Sequence, residues 1–170
     1  MASSPSIPVA VLMERTAAPN AWEDWGFRVL DVVPAQDAFG GAPRLLHDDG
    51  KRSQWLYPGF TLALHADECK GYFLNLTSGR PSWFVSWRPD EQDAAMVEVS
   101  GVSVSYIEAD RRLFAEERVE PVPLAPELCE WLREFTNAHF QPDTKRKVRA
   151  QSFLSPADRA RLADDGGGCG

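Results

Sequence analysis

Apolar side chains recur at every second position in much of residues 60–88, FTLALHADECKGYFLNLTSGRPSWFVSWR. This period of two is typical of antiparallel strands that bury one face. Residues 78–82, Ser-Gly-Arg-Pro-Ser, have a composition suited to a turn between two such strands. The sequence therefore predicts an antiparallel sheet across this part of the chain. The pattern fills four runs: 60–65, 72–77, 83–88 and 102–106.

Strand and helix patterns flank this region. Residues 47–50, His-Asp-Asp-Gly, indicate a hairpin turn. Pro121 and Pro123 make residues 119–124 extended rather than helical. Pro126 stands at a favourable first helical position, and the apolar residues after it predict a helix over 126–140 that covers an open end or face of the sheet. Further strand candidates are 9–15, 27–33, 45–46 and 54–57, and the charged stretch 108–117 permits a short helix.

The predicted fold class is mainly β (α+β), an antiparallel β-barrel or strongly curved sheet of about six to eight strands with one C-terminal capping helix and a flexible tail. We expect residues 1–140 to form a single β-rich domain and residues 141–170 to form a basic, flexible C-terminal arm. Residues 141–170 contain six Lys or Arg and four Asp, a net charge of +2. Because the whole chain carries −7, residues 1–140 carry −9.

Composition and motifs argue against several function classes. The acidic balance disfavours binding to nucleic acid or to a membrane surface, and no apolar run is long enough to span a bilayer. The sequence lacks a phosphate-binding glycine loop, paired metal-ligand spacings and a nucleophile motif. We therefore expect a protein that is not an enzyme and holds no cofactor or metal. Three widely spaced cysteines and a start without signal-peptide features favour a cytoplasmic location.

Three functional alternatives remain open from the residues. The first is docking to a protein partner through Trp22 and the arm, since aromatic residues anchor interfaces and a basic segment can order on a partner. The second is a barrel that carries a small molecule or cofactor, with polar contacts from His65, Asn75 and Arg88. The third is a hydrolase or redox site at Cys69 and His65, which requires a low thiol pKa. The docking residues of the arm are Lys145, Arg146, Lys147, Arg149, Phe153 and Leu154.

Five stretches of the chain carry a family resemblance: 11–15 (VLMER), 64–77 (LHADECKGYFLNLT), 83–88 (WFVSWR), 102–106 (VSVSY) with 108–109, and 145–147 with 152–153. Together they resemble an uncharacterised proteobacterial family, a domain of unknown function. Genes of that family typically lie beside molybdenum-dependent formate dehydrogenases and a second small uncharacterised family. The resemblance implies an accessory, maturation or docking protein of such an enzyme and supplies no catalytic residues. The predicted partner is therefore a formate dehydrogenase subunit or its maturation machinery.

Overall fold

Two antiparallel sheets form the described part of the chain in the computed structural model, which describes residues 4–17 and 24–140. The first sheet contains β1 (Ser6–Ala17), β2 (Trp25–Pro34), β3 (Arg44–Asp48) and β4 (Arg52–Ala63) in the order β2–β1–β4–β3. The second sheet contains β5 (Ser82–Pro89), β6 (Val97–Ser103) and β7 (Arg118–Pro123) in the order β6–β5–β7. The mainly β prediction is thus confirmed, with seven strands in the described residues.

Three helices accompany the strands within the described residues. They are α1 (Cys69–Leu76), α2 (Tyr106–Phe114) and α3 (Pro126–His139). The predicted C-terminal helix corresponds to α3, and the helix-permissive stretch corresponds to α2. Two short 3-10 turns, Asp37–Phe39 and Ala66–Glu68, precede β3 and α1. None of the described helices is long and apolar enough to cross a membrane.

The core lies between the inner faces of the two sheets. In β5 the alternation predicted from sequence is confirmed, because Trp83, Val85 and Trp87 are all buried. Phe27 of β2 meets Trp87 edge-on, with 5.9 Å between ring centroids, so the two sheets share one apolar interior. Aromatic pairs in this geometry add roughly 0.5–1.5 kcal/mol beyond the burial of their area.

The strand predicted over 72–77 is wrong, because these residues belong to α1 or cap it. The buried residues of α1 recur at spacings of three and four, whereas Leu74 is exposed; they are Cys69, Gly71, Tyr72 and Asn75. That spacing matches a helix face rather than a strand face. The prediction of a strand through residue 106 is also wrong, since β6 ends at Ser103 and the Ser105 hydroxyl accepts the first-turn N–H of Glu108 in α2.

The predicted barrel is not confirmed. Among the described strands, hydrogen-bonded ladders exist only within each sheet, and β2 and β7 lie at the edges of different sheets. A side chain joins these two edges instead of a ladder. The Glu120 carboxylate of β7 accepts the Val29 N–H of β2 at 2.8 Å and the Trp87 indole N–H at 3.2 Å.

Candidate functional site

The predicted docking residues are outside the part of the chain that the structure describes. These residues are Trp22, Lys145, Arg146, Lys147, Arg149, Phe153 and Leu154. Their proposed role stays a prediction from sequence.

The three side chains predicted to contact a small ligand occupy three different environments. His65 is exposed just after β4 and lines a cavity of about 250 Å³. Asn75 is fully buried in α1. Arg88 lies near the end of β5 and pairs with Glu98 of β6 at 3.1 Å on an exposed surface. The structure therefore does not assemble them into one polar site.

The Asn75 side chain is occupied by hydrogen bonds to the backbone of neighbouring segments. Its amide nitrogen donates to the Ser82 and Val104 carbonyl oxygens at 2.8 and 2.9 Å, and its amide oxygen accepts the Ser82 N–H at 3.0 Å. These bonds tie α1 to the start of β5 and to the segment that leads into α2. A buried amide with its groups satisfied in this way stabilises the fold and offers few free groups to a ligand.

A polar network joins α1 to α2 beside His65. The Ser105 hydroxyl donates to the Glu68 carboxylate at 2.7 Å, and Arg111 donates to the other oxygen of that carboxylate. Burial alone would raise the pKa of Glu68, but the hydrogen bonds from Arg111 and Ser105 outweigh it and hold the pKa below its ordinary value. The network is internally paired, so it chiefly fixes the two helices.

The geometry around Cys69 disfavours a reactive thiolate. Its sulfur contacts the backbone oxygen of His65 at 4.0 Å. Burial raises the pKa of the thiol, and the nearby Asp67 raises it further. A nucleophilic cysteine needs the opposite shift. Within residues 4–17 and 24–140, no group of three or more His, Cys, Asp or Glu side chains is arranged to hold a metal ion.

A large concave apolar feature of the described residues lies where β2 and β7 separate, and we call it the seam groove. It is a cavity of about 630 Å³, bounded by β1, β2, β7 and the start of α3, with the buried Trp83 ring among its lining residues. Among the described residues its lining is apolar except for Asp31 and Glu127, which are both acidic. The lining comprises residues 7–9, 31–35, Trp83, Pro123, Ala125, Glu127 and Leu128.

The β2 edge of the seam groove has its backbone donors already occupied. Strand alternation turns the nitrogens of Val32 and Pro34 away from β1, and the register shift in the β1–β2 ladder places Val29 on the same edge. The Val32 N–H donates to the Asp31 carboxylate at 2.8 Å, and the Val29 N–H donates to Glu120. Pro34 has no N–H.

The β7 edge is blocked in a similar way. The Leu124 N–H, just past β7, bonds to the Pro81 oxygen on the β5 side at 3.0 Å. Alternation therefore turns the nitrogens of residues 119, 121 and 123 toward the seam. Two of these three are the prolines Pro121 and Pro123, which have no N–H to donate. Neither edge offers the row of donors that a ladder requires, and this explains why the two sheets do not close here.

Sequence reasoning missed the seam groove although its signals were present. Pro121 and Pro123 indicated an extended segment, and prolines in a strand indicate a sheet edge. The sequence could not show that this edge faces β2, because strand order depends on contacts far apart in the chain. Asp31 also interrupts a run of apolar residues in β2, which is a known way to protect an edge.

A family model described as a protein of unknown function (DUF3305) matches residues 8–149 of the chain. No curated protein and no solved structure matches it. The match confirms the predicted membership of an uncharacterised family.

Proposed function

We propose that this chain, which belongs to the DUF3305 family, is a non-catalytic accessory protein that docks onto a molybdenum-dependent formate dehydrogenase or its maturation machinery. The observation that carries the docking function is the seam groove, an open apolar cavity of about 630 Å³ with an acidic rim. The choice of partner rests on the gene neighbourhood of the family that the sequence resembles.

Docking fits the groove because its apolar walls stay open between two sheets. An apolar surface rimmed by polar groups is typical of a protein-interaction site. The walls are rigid, since Val9 and Val32 belong to paired strands and Trp83 is 2% exposed. A preformed surface of this kind binds with little ordering of its own side chains.

The proposal includes a cytoplasmic location. Cys69 and Cys129 are both unpaired in the described residues. Unpaired cysteines are typical of proteins that work in a reducing compartment.

The test is capture of the tagged full chain from its native host grown on formate with molybdate, followed by mass spectrometry. We expect a formate dehydrogenase subunit or a maturation factor of that enzyme to be retained. An Ala125→Arg variant places a long cation at an exposed residue that lines the groove and should lose the capture. Ala138→Arg, at an exposed position near the C-terminal end of α3, is the control and should keep it. If neither subunit nor maturation factor is retained by the unmodified chain, the proposal is wrong.

A second candidate is a carrier of a small molecule or cofactor. It is favoured by the volume of the seam groove, because ligand cavities commonly measure about 300–1,000 Å³. Native mass spectrometry of the purified chain tests this function. A bound small molecule that is lost in Ala125→Arg would support the carrier, and the bare chain mass would count against it.

A further inference from the structure

The seam groove rejects one common mode of protein recognition. Many domains bind an extended peptide by adding it as a strand to a sheet edge. That mode needs alternating N–H and C=O groups on the edge, and most of the N–H positions that face the seam supply no free donor. Pro34, Pro121 and Pro123 have none to donate, and the Val32 N–H is bonded to Asp31. An incoming segment must therefore satisfy its own backbone groups, which a helix does.

The length of the groove matches a short helix. Residues 31–35 form one wall and span four steps of about 3.3 Å, or about 13 Å. A helix rises about 1.5 Å per residue, so about nine residues cover this distance. Two or three side chains at spacings of three and four residues then point into the groove.

The charge at the rim selects among such helices. Asp31 and Glu127 are exposed and line the groove, and among residues 4–17 and 24–140 no basic residue lines it with them. Residues 1–140 carry −9 in total, so the local and the overall charge have the same sign. A partner with lysine or arginine beside its apolar residues gains from this arrangement, whereas an acidic partner is repelled.

We propose that the seam groove receives the apolar side chains of a short helix of the partner protein, with a flanking basic residue placed against Asp31 and Glu127. This inference rests on the proposed docking function and names the partner element that the same groove takes. Strand addition and acidic partners are the alternatives that the test separates.

The probes are three synthetic peptides of about 14 residues with capped ends. The first combines leucine and lysine so that leucines share one helix face. The second has the same composition in strict alternation, which favours a strand. The third replaces every lysine of the first by glutamate. Binding to the ¹⁵N-labelled full chain is followed through the amide signals of Ile7, Val33 and Leu128 and the indole signal of Trp83.

We expect the helical basic peptide to shift these signals and to bind about tenfold more tightly than either other peptide at low salt. Asp31→Asn with Glu127→Gln removes two charges and should weaken its binding by about fivefold, while the asparagine keeps an acceptor for the Val32 N–H. The matched control, Asp37→Asn with Glu134→Gln, removes the same charge at exposed positions that do not line the groove and should leave binding unchanged.

Other outcomes overturn the inference. Tighter binding of the alternating peptide would establish strand addition. If the two charge-removing pairs of substitutions weaken binding equally, the preference for a basic peptide comes from the overall charge of the protein and not from Asp31 and Glu127. Shifts elsewhere than at the groove would place the site elsewhere. The capture experiment distinguishes this failure from that of the proposed function. Capture of formate dehydrogenase that survives Ala125→Arg would overturn the groove and leave docking intact, whereas peptide binding without capture would overturn the function alone.

Discussion

Replacing Gly71 with alanine should destabilise the protein, although the same change in most helices is stabilising. In an ordinary helix interior, Gly→Ala gains about 1 kcal/mol. At Gly71 an added Cβ would collide with the Ser105 hydroxyl oxygen, and it would lie 3.0 Å from the Ser105 Cβ and 3.3 Å from the Ile107 backbone nitrogen. The hydroxyl must then rotate away, and it can no longer cap α2 or bond to Glu68.

The size of the effect follows from these lost contacts. Loss of the N-cap costs about 1 kcal/mol, and loss of a hydrogen bond to a carboxylate costs roughly 1.5–3 kcal/mol. The crowding that remains at the Ser105 Cβ adds roughly 1 kcal/mol. After the gain in helix propensity is subtracted from these losses, we expect Gly71→Ala to lower the free energy of unfolding by about 2–4 kcal/mol. Urea unfolding followed by tryptophan fluorescence measures this change, because Trp83 and Trp87 are buried in the core.

The same substitution made in a Ser105→Gly variant tests this reasoning. Ser105→Gly removes the two Ser105 atoms that crowd Gly71 and leaves the Ile107 backbone nitrogen at 3.3 Å, so Gly71→Ala made in that background should cost much less stability than in the unmodified chain. Gly101→Ala is the control, since its Cβ would meet only the end of the flexible Arg112 side chain at 3.5 Å. An equal loss of stability from Gly71→Ala in both backgrounds would refute the role assigned to Ser105.

Further predictions concern α1, α2 and the pairing between them. Glu116 has a φ of 65° after the end of α2, so Glu116→Gly should raise the free energy of unfolding by about 0.5–1 kcal/mol, and urea unfolding should show no such gain for Glu116→Ala. Asn75→Leu leaves the groups that Asn75 now pairs unsatisfied and should cost roughly 3–5 kcal/mol in the same assay. Arg111→Met removes a bond that lowers the pKa of Glu68. A lowered pKa of Glu68 stabilises the fold at pH values above the ordinary pKa near 4.5. The free energy of unfolding that Arg111→Met loses should therefore be largest near neutral pH and should shrink as the pH falls, as urea unfolding at a series of pH values would show. Arg133→Met, which removes the exposed pairing of Arg133 with Glu130, is the control and should change the free energy of unfolding much less.

Local patterns predicted most of the elements correctly. β1 and β5 bury residues in the predicted run or alternation, and α3 begins at Pro126 as predicted. In β2 the register shift breaks the predicted alternation, so Val32 is buried and Asp31 is exposed. The hairpin turn at 47–50 also joins β3 to β4 as expected. These elements are long or sharply bounded, so tertiary contacts reinforce the local preference instead of overriding it.

The error at α1 has a physical origin. Tyr72, Leu74 and Leu76 alternate with polar or aromatic neighbours, and over eight residues a strand pattern and a helix pattern overlap. The helix is favoured by contacts distant in sequence, including the close approach of Gly71 to Ser105 and the bonds from Asn75 to Ser82. Such contacts do not change the hydrophobic periodicity of the local sequence, so the sequence pattern does not show them.

The seam groove was hidden for a related reason. Pro121 and Pro123 correctly indicated an extended segment, but the identity of its neighbours follows from the pairing of β7 with β5. The residues around the groove come from both ends of the described chain, from Ile7 to Leu128. Their chemistry is readable in sequence, whereas their proximity is a property of the fold.

The blocked edges of β2 and β7 have a consequence for the protein at high concentration. Unpaired strand edges are the usual templates for fibril growth and domain swapping. Pro34, Pro121 and Pro123, together with the Asp31 carboxylate on the Val32 N–H, deny such a template at the seam. The protein can therefore keep an apolar surface open without recruiting further copies of itself along these two edges.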